Sequence, residues 1–338
     1  MSLGPSQSTD LASTSVSQSS NKIMKRFLLL LLVVALCLAS CRKQVPGYVY
    51  PDFDPEPTMN AVLINGEPIQ VYLTMAQRLD SVHPAACTDA EVLLYRDGEF
   101  VEQLAHRGDG CYKGSAVAEA LHEYSCKVVI PGYDTLYAHT EVPAQPVVKN
   151  VNIIENATLD EEGNACPAIM ITFKTDPDKR LYYQSSIDAA FFYYYYYLGM
   201  IYNSTGTRGS MNHSINTDDP VLLNEGSDLL LFSNEIISDT TYTLKVNASF
   251  NSHSYSSSGQ AVTFDSIVRS GYLVVSMSGI AESCYQYRKS QEAFQAPDAY
   301  TNLFLGTITP LNLYSNVENG RGLCTAIAPV TCDTVFLR

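Results

Sequence analysis

From Asn60 onward the chain consists of short apolar or alternating stretches, broken about every ten residues by Gly, Pro, Asn or Asp. NAVLINGEPIQVYLT sets Asn65-Gly66 between two apolar runs, and EVLLYRDGEFVEQL does the same with Asp97-Gly98. Both dipeptides tolerate the positive φ angles of two-residue hairpins. GDGCYKG, EYSCKVVI and PGYDTLYAHTEVP continue the series. Strand signals at this spacing, without a long helical pattern, predict a small antiparallel sandwich over 58–145, ending at Pro143 and Pro146. Residues 146–338 are equally strand-rich: VVKNVNIIE, AIMITFKT, LYYQSSIDAAFFYYYYY, DLLLF, YTLKVNASF, QAVTF and YLVVSMSG are β-branched or aromatic runs. AESCYQYRKSQEAFQA, from Ala281, has neither Gly nor Pro and reads as a helix of about three turns. Pro220, Pro297 and Pro310 fall in loops on this reading. The expected fold class is all-β, with two β-sandwich-like (Ig-like or transthyretin-like) domains and one short helix late in the second.

The first forty residues follow a different pattern. Lys25 and Arg26 precede a purely apolar run from Phe27 to Leu38, 12 residues long. A bilayer span needs about 20, whereas a signal peptide needs no more than this. Leu38-Ala39-Ser40-Cys41 then looks like a bacterial lipobox, in which the Cys thiol receives a diacylglyceryl group and becomes the first residue after cleavage. Residues 1–23 are rich in Ser and Thr without apolar periodicity and read as an extension upstream of a start at Met24. Residues 41–57, from the lipidated Cys through RKQVPGYVYPDFDPEP with its four Pro, read as an extended tether.

Charge and cysteine content narrow the class. The formal charge is −14, and removing residues 1–40 takes away Lys22, Lys25, Arg26 and Asp10, leaving −16. Binding to nucleic acid through phosphates needs clustered Lys and Arg, so none is expected. A hydrophobic share of 46% excludes global disorder. Seven of the nine Cys remain after the signal and the lipid site. Export permits disulfides, with Cys324 and Cys332, flanking a turn at Pro329, as the first pair and Cys111 with Cys126 as the second. The competing reading is reduced, buried thiols that pack as small hydrophobes. No CxxC and no zinc spacing occurs, so neither a metal nor a cofactor is expected.

Enzyme signatures are missing: no GxSxG, HExxH, Walker A loop or GxGxxG is present, and the six His are scattered. No catalytic residue is assigned. Asp218-Asp219 and Asp160-Glu161-Glu162 read as solvated loops. The strangest stretch is Ala189–Tyr202, with five consecutive Tyr at 193–197. In a strand, alternation puts Tyr193, Tyr195 and Tyr197 on one face and Tyr194 and Tyr196 on the other. One reading is a stacking platform for a flat ligand, and the other is packing in a core or against a partner. In SNVENGRGL, Asn319-Gly320-Arg321-Gly322 reads as a tight turn closing the last strands, with Arg321 as a candidate grip for a carboxylate. Asp followed by Ser or Thr recurs at Asp80, Asp134, Asp239, Asp265 and Asp333, resembling O-glycosylation acceptors of secreted Bacteroidetes proteins.

Taken in order, the lipobox, DAEVLLYRDGEF, HEYSCKVVIPGYDTLYAHTEVP, LLLFSNEIISDTTYTLKV, SGIAESCYQYRKSQ and SNVENGRGL resemble a family of Bacteroidetes lipoproteins known as domain of unknown function 4249. Relatives more often carry Asp and Gly where this chain has Asn234 and Ser238. The resemblance implies an all-β, lipid-anchored outer-membrane protein whose partner is a TonB-dependent receptor, with no functional residues to carry over. Arg42-Lys43-Gln44 departs from the acidic residues that often follow the lipidated Cys of surface-displayed relatives, which leaves periplasmic and surface orientations open. The function expected is a non-enzymatic accessory or ligand-binding partner of that receptor, and the alternative is a structural or adhesive surface lipoprotein.

Overall fold

The computed structural model describes residues 54–77, 85–159, 165–197, 200–204, 208–210, 217–226, 229–247, 270–295 and 313–337. All of them lie in one compact unit that begins at Phe53. The fold is all-β and sandwich-like, with two helices among the described residues.

The strands are β1 (Pro57–Ile64), β2 (Pro68–Met75), β3 (Ala85–Ala86), β4 (Glu91–Arg96), β5 (Glu99–Gly108), β6 (Cys111–Val117), β7 (Glu123–Val129) and β8 (Leu136–Glu141). They continue as β9 (Val147–Leu159), β10 (Ala165–Lys174), β11 (Tyr182–Tyr197), β12 (Met200–Ser204) and β13 (Arg208–Ser210). Helix α1 (Pro220–Glu225), β14 (Leu231–Ser233), β15 (Thr241–Asn247), β16 (Ser270–Ile280), α2 (Glu282–Gln295) and β17 (Arg321–Leu337) complete the order. One large sheet runs β12-β11-β16-β17-β1-β2-β6-β5-β4-β7-β8, and a three-stranded sheet runs β15-β10-β9.

Period-two burial builds the first core. Met59, Ala61 and Leu63 of β1 and Ile69, Val71 and Leu73 of β2 point inward, as do Val92 and Leu94 of β4 and Leu136 and Ala138 of β8. Each buried Val, Leu, Ile or Met side chain among them stabilises by roughly 1.5–3 kcal/mol. The sheet folds over this core at β5. Residues Glu99–Leu104 of β5 pair with β4, while Ala105–Gly108 pair with β6. Where the two halves part, the Glu102 carboxylate accepts hydrogen bonds from the backbone N–H groups of Ser115 and Ala116, at 2.8 and 2.5 Å. A side chain thus stands in for the missing strand carbonyls. Burial pushes the Glu102 carboxyl up, but these donors outweigh it and hold it below its usual value.

The first sheet closes on itself near β8. Tyr137 bridges Glu318 through backbone hydrogen bonds, and Asn316 donates to the carbonyls of His139 and Cys324 at 3.3 and 2.8 Å. The second core lies between β11-β16 and the three-stranded sheet, around Ile169, Ile171, Phe173, Tyr183, Leu244 and Met277. The first core draws mainly on residues before Val147 and the second on residues after it. Strand β17 nevertheless serves both: Cys324 and Ala326 fill the first core, while Val330 packs against the second.

Local signals explain the hairpins. Asp97 and Gly98 have φ of 50° and 83°, the pair of positive angles a type I′ turn requires. The β1–β2 connection differs from the expected two-residue loop. Glu67 N–H donates to the Ile64 carbonyl at 2.9 Å, and only Gly66 within that turn has a positive φ, 86°. That is the third position of a type II turn, where glycine is favoured.

Candidate functional site

Helix α1 was expected to be loop, and its sequence explains why it is helix. Asp219 caps it, accepting from the N–H groups of Val221 and Leu222, and Pro220 stands in the first turn, where its missing N–H costs nothing. The Asp219 carboxylate also accepts from Tyr242 OH at 3.0 Å and Lys245 N–H at 2.8 Å. It is buried rather than solvated, which corrects the reading of Asp218-Asp219 as a free acidic loop. Asp218 pairs with the Lys245 ammonium, which holds its carboxyl below the usual range.

The helix delivers Glu225 to a buried polar cluster. One Glu225 oxygen accepts from Ser233 N–H at 2.7 Å and from its hydroxyl at 3.2 Å. The other accepts from Tyr285 OH and faces the Lys289 ammonium at 3.1 Å. Lys289 also donates to the Glu225 backbone carbonyl at 2.6 Å. Tyr285 and Lys289 stand one turn apart on α2, so one face of that helix reaches the carboxylate. The Glu225 side chain is only 5% exposed. Burial raises its carboxyl, but the bonds from Tyr285, Ser233 and Lys289 outweigh burial and bring it below its usual value. Burial and the facing carboxylate both push the Tyr285 phenol up.

Aromatic contacts extend the cluster. The Tyr182 and Tyr285 rings lie 4.7 Å apart, with the Arg180 guanidinium 5.9 Å from the first and Lys289 5.7 Å from the second. Arg180 is held by Glu235 at 2.8 Å. Glu225 is thus occupied at both oxygens by groups of the protein itself, and Glu235 at one. A base or nucleophile needs a free lone pair at a reacting atom, and this arrangement supplies a clamp that fastens α1, β14 and α2 together. The i, i+4 spacing of Tyr285 and Lys289 was visible in the sequence, but their acidic partner was not.

The residues singled out from the sequence are scattered. Cys41 lies outside the described residues, as do Asp160-Glu161-Glu162, Pro297 and Pro310. Tyr193–Tyr197 are strand: β11 pairs with β16 as far as Phe192, then with β12, setting Tyr195 opposite Tyr202. The side chains of Tyr193, Tyr195 and Tyr197 lie outside what is described.

Cys324 and Cys332 do not flank a turn. Both belong to β17, eight residues apart in an extended strand, where roughly 3.3 Å per residue separates them far beyond disulfide reach. Pro329 sits inside the strand, opposite Ser278. Its carbonyl accepts from Gln145 at 3.0 Å, so its backbone polar edge points away from β16 and no ladder donor is lost. Cys324 is a free, buried thiol, as is Cys126, while Cys111 is free and half-buried. Burial pushes the Cys126 thiol up to about 12.

Arg321 pairs with Glu56 at 3.0 Å. The turn around it is dictated by close backbone approach. A Cβ on Gly322, whose φ is 121°, would stand 1.9 Å from the Met59 carbonyl oxygen, and one on Gly320 would stand 2.6 Å from that of Pro57. Among the described residues no group of three or more His, Cys, Asp or Glu could hold a metal ion, and no helix is long and apolar enough to cross a membrane. No family model matches the chain, and no curated protein matches it.

Proposed function

We propose that the chain is a non-enzymatic, lipid-anchored protein of the outer membrane that serves as an accessory or ligand-binding partner of a TonB-dependent receptor. The observation that carries the reading is the run from Lys25 to Cys41: two cations, 12 apolar residues, and Ala39-Ser40 before a cysteine. Lipid on that thiol holds the folded body at the membrane without a spanning helix. The order of family-like segments from HEYSCKVVIPGYDTLYAHTEVP to SNVENGRGL supports the receptor part. A cluster that spends its carboxylates on internal clamping favours a binding or scaffolding role over catalysis.

Affinity purification of the intact protein from detergent-solubilised outer membrane tests the partnership. Stoichiometric recovery of a TonB-dependent receptor, with or without added nutrient, is the expected result. Recovery of the protein alone under all conditions refutes it and leaves the structural or adhesive reading, whose mark is self-association.

A further inference from the structure

The chain enters its fold in an arrangement with mechanical consequences. Strand β1 follows directly on the Pro-containing stretch that ends at Glu56, and its outer neighbour is β17, the last described strand. These two strands run parallel, in seven register pairs from Thr58 with Arg321 to Ile64 with Ile327. They are the one parallel pair among the described strands, and β1 is hydrogen-bonded to antiparallel β2 on its other edge.

Tension applied to the chain before Pro57 acts along the β1 axis. When the body is held beyond Ile327, the ends of the parallel ladder are drawn in opposite directions, and all its rungs bear load together. When both strands are pulled from the same end, the rungs open one after another. The barrier to forced unfolding differs accordingly, because it is set by what must break in the unfolding transition.

The loaded end carries extra fasteners. The Arg321 guanidinium grips Glu56 at 3.0 Å, and Ala76 N–H donates to the Glu56 carbonyl at 2.8 Å. Gly320 in the turn and Gly322 at the start of β17 let this segment sit directly on the backbone of Pro57 and Met59. Asn60 accepts from Leu323 N–H through its side chain at 3.3 Å, adding a cross-strand bond outside the backbone ladder.

We infer that the β1–β17 ladder is a shear clamp, which lets the folded body carry tension delivered through its N-terminal tether. The source of that tension rests on the lipid-anchored reading. The clamp itself does not, since it is a property of the folded chain.

Single-molecule force spectroscopy on the purified protein separates the two. Linkers coupled at the exposed positions 54 and 329 load the ladder in shear, and linkers at 54 and 318 peel the same ladder from one end. The shear geometry is expected to unfold at a force several-fold above the peeling geometry at equal loading rate. Equal forces, or a weaker shear geometry, overturn the clamp and leave the lipid anchor untouched.

Discussion

Asn234 shows how much of this fold depends on single polar side chains. It is 3% exposed. Its amide donates to the carbonyls of Asp176 and Lys179 at 2.8 and 2.9 Å and accepts from Leu181 N–H at 2.9 Å, fixing the 176–181 turn. Asn234→Asp keeps the shape but removes both donors and sets a carboxylate against two carbonyls. The expected cost is about 3 kcal/mol at neutral pH. Protonation of the new carboxyl restores one donor, so the deficit should shrink in acid. Denaturant unfolding at two pH values measures both, and a variant as stable as the parent would refute the assignment. None of this was legible beforehand, because a turn 55 residues away supplies the partners. Asp219 is the opposite case: Asp-Pro followed by Val-Leu-Leu is a helix-start signal that the run of acidic residues obscured.

Elements were legible where their determinants are local. The Asp97-Gly98 hairpin and the helix after β16 follow from a few neighbouring residues, and α2 begins one residue after Ala281. Strand β17 was cut short in the sequence reading because Pro329 suggested a turn. What keeps it extended is pairing with β16 and β1, which no local pattern encodes.

The clamp at Glu225 is likewise a property of elements meeting. Tyr285→Phe removes one donor to a buried carboxylate and should destabilise by about 1.5–3 kcal/mol at pH 7. The folded-state carboxyl is held below its ordinary 4.5, so the stability it contributes is complete above that value. It is lost as pH falls through the lower, folded-state value. Parent and variant should therefore converge in stability on acidification. A difference that stays constant down to the acid limit would assign the effect to packing instead.

For the whole molecule, the all-β class was readable from strand spacing. The sharing of β17 between the cores was not, because it depends on the last described strand returning to the first. That return also puts the start of β1 and the turn at 318–322 at one end of the first core. A body built this way needs no spanning segment of its own to work at a membrane, provided that Cys41 supplies the anchor. Replacing Cys41 by Ala in the full chain, expressed in a bacterium with a lipoprotein-processing pathway, tests that claim most directly. The account predicts that the parent protein fractionates with the outer membrane and carries a diacylglyceryl-modified N-terminal cysteine by mass spectrometry. It predicts that Cys41→Ala loses the modification and leaves the outer-membrane fraction. A parent chain without lipid, or a Cys41→Ala protein still held in that membrane, would contradict it.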